Sequence, residues 1–202
     1  GHARGAQLSR GVMSEMRIRV ARLNDADAIA KVYVETWRSA YAGLVPDDVL
    51  TGMSESRQRR QWKAQIASGD TVMVAEHPEY GIVGMGSCGL CRDWRFAGSG
   101  EIYTLYVLPD RQDQGHGRDL LTAMLRAMRS AGFDGAVLWV LAGNPSRFFY
   151  EAMGGRQVAQ REERLWQTVL PELAYQWRPL PQPLLLGRLA QDDDTLHAGG
   201  GS

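Results

Sequence analysis

Cysteine is scarce in this chain, with two in 202 residues. They form one CxxC, Cys88 and Cys91, and no second CxxC or paired histidine completes a four-ligand zinc set. The surrounding residues read as a strand, where positions three apart point to opposite faces, so a redox pair is not expected either. Excess charge is also missing. Lysine plus arginine and aspartate plus glutamate both number 23, so no global field favours nucleic acid or an anionic membrane. No apolar run approaches the ~20 residues of a membrane span, and the N-terminus has no signal-peptide hydrophobic region. A cytoplasmic protein with neither membrane nor nucleic acid as partner is expected. The pattern GxxxxGK[ST] is absent, which disfavours ATP chemistry.

What is present fits one globular domain, with 44% hydrophobic and 23% charged residues. "MRIRVARLND" alternates as a strand does and offers Asn24 or Asp25 as a helix cap. Ile29, Val32, Tyr33, Thr36, Trp37 and Ala40 then recur at helical spacing. A short and a longer helix follow, the latter anchored by Trp62 and Ile66. Its basic residues Arg57, Arg59, Arg60 and Lys63 read as a solvated face. "DTVMVAEH" and "GIVGMGSCGL" form a hairpin signal, and "EIYTLYVL" a third strand. A helix with the stripe Leu120, Leu121, Met124, Leu125 and Met128 comes next. "GAVLWVLA" reads as a central strand, "PSRFFYEAMGG" as a short helix, and "RQVAQREERLW" and "LAYQWRP" as closing strands. The single domain is placed at 17–178. Residues 1–16 read as a tag or flexible segment and 179–202 as a loose tail.

Two glycine runs need separating. "GMGSCG", Gly84 to Gly89, matches GxGxxG, but no helix follows to hold a pyrophosphate, so a strand with a bulge or close backbone approach is expected. "QDQGHG" lies between a strand and a helix that lacks a capping side chain. The first N–H groups of that helix have no partners within it, and its dipole places partial positive charge there. Backbone amides near Asp113 to Arg118 could wrap an anion, with Gly115 and Gly117 keeping the approach open. His116 reads as a loop residue contributing its amide.

The segment "LYVLPDRQDQGHGRDLL" resembles the acyl-CoA-binding motif of the GNAT superfamily of N-acetyltransferases, through Gln112, Gly115 and Gly117. "VLAGNPSRFFYEAMGG" resembles the following strand–helix motif, through Asn144 and Tyr150. The resemblance implies an α/β fold: a mixed sheet of about seven strands, splayed between the fourth and fifth and flanked by about four helices. It implies acetyl-CoA as co-substrate, no metal, and direct transfer of the acetyl group to an amine. Tyr106 and Val107 are assigned backbone contacts to the pantetheine arm, with the Val107 N–H as oxyanion donor. Gln112, Asp113, Gln114, Gly115, His116, Gly117 and Arg118 are assigned to the pyrophosphate. Asn144 and Tyr150 complete the cofactor site. Asp113 is tolerable there only if its side chain points outward. Some relatives carry a glutamate on the fifth strand where this chain has Trp139.

Tyr150 is the implied general acid, because a phenol is protonated at neutral pH; simple packing with Phe148 and Phe149 is the competing reading. Glu101 is the base candidate, with a surface carboxylate at a strand entrance as the alternative and Glu35 as runner-up. Strand alternation puts Glu101, Tyr103, Leu105 and Val107 on one face. Trp37, Tyr41, Trp94 and Tyr103 are expected at the acceptor pocket, with Asp93 and Trp166 nearby, a set suited to a small cationic amine. Core or dimer packing is the other reading of these rings, and a homodimer is allowed. A small primary amine is the expected acceptor. Protein or peptide N-acetylation, or a non-catalytic acyl-CoA-binding module, are the alternatives.

Overall fold

In the computed structural model, which describes residues 16–181, seven strands form one sheet in the order β1-β2-β3-β4-β5-β7-β6. The chain runs β1 (Arg17–Val20), α1 (Ala26–Tyr41), α2 (Asp47–Gly52), α3 (Glu55–Ala67), β2 (Thr71–His77), β3 (Gly81–Leu90) and β4 (Ser99–Val107). It continues through α4 (His116–Ser130), β5 (Gly135–Leu141), α5 (Ser146–Ala152), β6 (Arg156–Leu165) and β7 (Thr168–Trp177). Among the described residues the helices number five, with the short α2 counted separately.

The first corner is electrostatic. Arg19 donates to both Asp25 oxygens at 2.7 and 3.0 Å and to Glu76 at 2.7 Å, joining β1, β2 and the entry to α1. Asp25 therefore does not cap α1 through its side chain. It sits in a single 3-10 turn, Leu23–Asp25, where its carboxylate also accepts from the Arg22 amide at 2.7 Å.

Two apolar layers cover the sheet. On one face α4 buries Leu120, Leu121, Met124, Leu125 and Met128 to 2% exposure or less, each worth roughly 1.5–3 kcal/mol on removal from water. On the other face Ile29 and Val32 of α1 and Trp62 of α3 pack against Val72, Val74 and Met85. The basic residues of α3 are exposed and Trp62 is buried, as an amphipathic helix requires.

Residues 84–89 belong to strand β3. A Cβ at Gly86 would fall 2.8 Å from the Met124 sulfur and one at Gly84 would fall 3.0 Å from Leu120. These glycines let α4 press onto the sheet. Cys88 is buried beside them, and burial pushes its thiol pKa up to about 11, which leaves it an inert core residue.

The chain beyond β7 stays on the domain at least as far as Leu180, which is 4% exposed and exchanges contacts with Asp134 and Arg129. The start of the expected tail is thus packed, and residues 1–15 and 182–202 lie outside the described residues.

Candidate active site

β4 and β5 are joined only at their beginnings, from Ser99 opposite Gly135 to Ile102 opposite Leu138. Beyond that point Tyr103–Val107 and Trp139–Leu141 diverge, and the sheet opens into a V. Register decides which backbone groups face the opening. The Leu108 N–H donates to Val83 O at 2.8 Å, so Val107 and its partner Gly84 form a non-hydrogen-bonded pair. The N–H and C=O of Val107 therefore point away from β3, into the V. Leu105 faces the same way. Tyr106 pairs with Met85 and turns its amide toward β3. The backbone pair at the opening is thus Leu105 and Val107, which corrects the assignment of Tyr106. The Val107 carbonyl accepts from Gln112 Nε2 at 3.1 Å and from Thr36 Oγ1 at 3.5 Å.

The N-terminus of α4 stands at the edge of the V. Its N-cap is Gly115, in the left-handed region at φ 84°, with no capping side chain. Asp113 is left-handed as well, at φ 65°, and exposed. The turn accounts for both: it needs positive φ twice, and the aspartate tolerates it while its carboxylate faces solvent. A Cβ on Gly117 would come within 3.9 Å of Val107 and 3.8 Å of Phe149, so this glycine adjoins the opening. Gln114 is exposed. Arg118 lies in the first turn, its guanidinium 3.4 Å from Asp119.

His116 departs from the loop role. It is the first residue of α4 and is 5% exposed. Nε2 lies 3.2 Å from Gln114 Oε1, and Nδ1 has no partner among the described residues. Burial, and then the neighbouring His77, hold its pKa below the ordinary value.

On the far side of the V, the Asn144 side chain makes a local bond. Its Oδ1 accepts from the Ser146 amide at 2.9 Å and fixes the start of α5. Tyr150 on α5 is 6% exposed, packed among Phe149, Tyr175 and Trp177. Burial raises its phenol well above the usual range, so it stays protonated at any working pH.

A bulge reorganises the other face of β4. Ser87 pairs with Thr104 and Cys88 with Ile102, leaving Tyr103 without an opposite number. Tyr103 and Thr104 consequently line the same cavity on the α1/α3 side, while Leu105 and Val107 pack toward α4. Simple alternation fails at this point: Glu101 and Tyr103 are not on the same face as Leu105 and Val107.

Glu101 is 3% exposed. Oε1 accepts from the Arg92 amide at 3.1 Å and from Nε at 3.3 Å, and Oε2 accepts from an Nη at 2.7 Å. Arg92 lies 4.6 Å above the Tyr103 ring, and its own side chain is 68% exposed. Glu35, by contrast, sits on the exposed side of α1 near Lys31.

Of the expected acceptor residues, Trp37 and Tyr41 stack at 4.8 Å, and Trp166 at the β6–β7 turn meets Trp37 at 6.0 Å. Burial first, then Glu172, pushes the Tyr41 phenol up to about 12. Trp94 stands apart at 86% exposure, and Asp93 is occupied by Arg95. Trp139 is covered by the guanidiniums of Arg161 at 4.1 Å and Arg95 at 5.7 Å.

Sequence reasoning missed three residues. Leu105 was available from strand parity with Val107. Glu172 is 9% exposed, its pKa raised by burial, and it is held by Arg161 at 3.0 Å; Arg92 is the partner of Glu101 among the described residues. No local pattern marks either of these. A cavity of about 410 Å³ lies between α3 and the β3/β4 face, beside Arg92. A larger depression of about 640 Å³ lies at the C-terminal end of α4, some 22 Å of helix away from the glycine turn.

A V-shaped opening lined by two outward-facing amides, with an uncapped helix start at its edge, is built to hold an extended chain that ends in an anion. Comparison with known proteins agrees. Residues 29–154 match the family model "Acetyltransferase (GNAT) family", and the chain belongs to that family, whose members use acetyl-CoA. It is 33% identical over 163 residues to the uncharacterized N-acetyltransferase YuaI of Bacillus subtilis (strain 168), covering 81% of this chain and 93% of that one. Two solved structures share the fold. The Salmonella typhimurium protein yncA, solved with its cofactor acetyl-CoA, is 23% identical with a TM-score of 0.63, covering 81% of this chain and 93% of that one. A ribosomal-protein-alanine N-acetyltransferase from Brucella melitensis is 21% identical with a TM-score of 0.63, covering 80% and 99%. The protein is an acetyl-CoA-dependent N-acyltransferase. No helix among the described residues is long and apolar enough to cross a membrane.

Proposed function

We propose that the protein transfers an acetyl group to the primary amine of a small molecule. Acetyl-CoA supplies an activated thioester, and the residues around the V supply the rest. The Leu105 and Val107 backbones pair with the pantetheine arm as an added strand, and the Val107 N–H serves the thioester oxygen as charge develops on it. The first turn of α4 takes the pyrophosphate. Tyr150, kept neutral by burial, holds the proton that the departing thiolate requires. Glu101 draws the proton from the amine, through water where the amine does not reach it.

The observation that carries the small-molecule reading is the aromatic bridge across the acceptor side. Trp166 on the β6–β7 turn meets Trp37 on α1 with ring centroids 6.0 Å apart, where an extended peptide would need an unobstructed groove. The test presents small primary amines and amino-terminal peptides in parallel with acetyl-CoA and follows release of the coenzyme A thiol. Turnover of small amines with no peptide product supports the reading. Peptide acetylation without small-amine turnover overturns it.

A further inference from the structure

The cavity beside β4 has a distinctive polar lining. Gln58, Gln61 and Gln65 line it from α3, and Ser87 and Thr104 line it from the sheet, their hydroxyl oxygens 2.6 Å apart. Arg92 is the one charged residue in its lining. Trp62 also contributes to the wall, and its indole N–H has no partner among the described residues. The chamber is therefore rich in donors, and it presents the guanidinium of an ion pair whose carboxylate, Glu101, is buried behind it.

Arg92 has capacity to spare. A guanidinium offers five N–H donors. The Glu101 side of Arg92 uses its Nε and one Nη, which leaves N–H groups on the other edge. That edge belongs to a side chain 68% exposed, while its partner carboxylate is 3% exposed. The ring of Tyr103 beneath the guanidinium holds its plane. A planar fork fixed on one side by a buried carboxylate presents its other side to a second carboxylate.

Resting on the small-amine reading above, we propose that the chamber is the subsite for a carboxylate carried by the acceptor, so that the preferred substrates are amino acids or similar amino-carboxylates, anchored by Arg92. The neutral glutamine, serine and threonine groups serve the remaining polar atoms of such a ligand. The Tyr33 ring lines the chamber and lies 5.4 Å from that of Tyr106, so the site leads toward the end of β4 where the amides face the V.

The experiment compares the common L-amino acids with their α-carboxamides as acceptors, for the wild-type protein and for Arg92→Gln. The wild type is expected to favour at least one amino acid over its amide by about 10- to 100-fold in kcat/KM, the value of a hydrogen bond to a charged group. In Arg92→Gln that ratio is expected to fall close to one, whatever happens to the rate shared by both acceptors. Because the substitution strips a buried carboxylate of its partner, a second measurement uses the wild type alone. Propionate, but not propionamide, is expected to compete with the acceptor and not with acetyl-CoA. Equal or better turnover of the amides, an unchanged ratio in a folded Arg92→Gln protein, or no competition by propionate would overturn the proposal while leaving small-amine acetylation standing. Transfer to peptides alone would overturn both.

Discussion

The side-chain amide of Gln112 reaches back five residues to donate to the Val107 carbonyl at 3.1 Å. This bond ties the glycine turn to the strand end it follows, so that one side chain links the two halves of the proposed cofactor site. It also occupies the Val107 carbonyl and leaves the N–H directed into the V.

Gln112→Ala removes that tie without touching the core. The KM for acetyl-CoA should rise by about 10-fold, the value of one well-formed hydrogen bond, with little change in melting temperature. Steady-state kinetics with acetyl-CoA varied checks it, and an unchanged KM would mean the turn holds its shape unaided.

Gly115→Ala tests the turn itself. At φ 84° an added Cβ is strained and meets Arg118 at 3.0 Å, at a cost of about 1–2 kcal/mol. Both melting temperature and coenzyme A affinity should drop, the affinity more visibly, because relaxing the turn re-aims the first amides of α4. Calorimetric titration with coenzyme A distinguishes the two effects.

Tyr150→Phe keeps the packed ring and deletes the proton donor. The value of kcat should fall by roughly 10²- to 10⁴-fold, the range for a general acid, with binding of acetyl-CoA nearly unchanged. Full turnover by the variant at every pH would remove Tyr150 from the chemistry.

Stability should depend on pH through His116. Burial holds its pKa below the ordinary imidazole value, which is about 6.5. His77 and Arg111 add to that effect and Asp119 opposes it. The folded chain then binds fewer protons at this site than the unfolded chain. The contribution is complete above about pH 6.5 and declines as pH falls through that value toward the lowered one. Melting curves between pH 5 and pH 8 should show the decline, and His116→Gln should flatten it.

Much of this architecture was readable from local signals. The order of elements followed from periodicity, and the stripe from Leu120 to Met128 is buried as its spacing required. The absence of a capping side chain before α4 was visible in "QGHG", and the glycines of "GMGSCG" were read as strand because no helix follows them, as β3 has them. The errors were non-local. The bulge at Tyr103 depends on how β3 registers against β4, which no window on β4 reveals, and it moved Leu105 and Val107 to the face opposite Glu101. The Arg92–Glu101 pair joins residues nine apart, from the loop after β3 to β4. Glu172 looks like any strand carboxylate until β7 is placed beside β5 and β6. The Asn144 Oδ1 accepts from the Ser146 amide at the start of α5, a local use that the sequence motif did not announce.

Amide hydrogen exchange with and without coenzyme A tests most directly that the V between β4 and β5 and the turn before α4 form one binding site. Protection should appear in peptides spanning residues 103–108 and 112–119, and not in those confined to residues 81–90 of β3. Protection over the β3 glycines instead, or none along β4, would contradict the account.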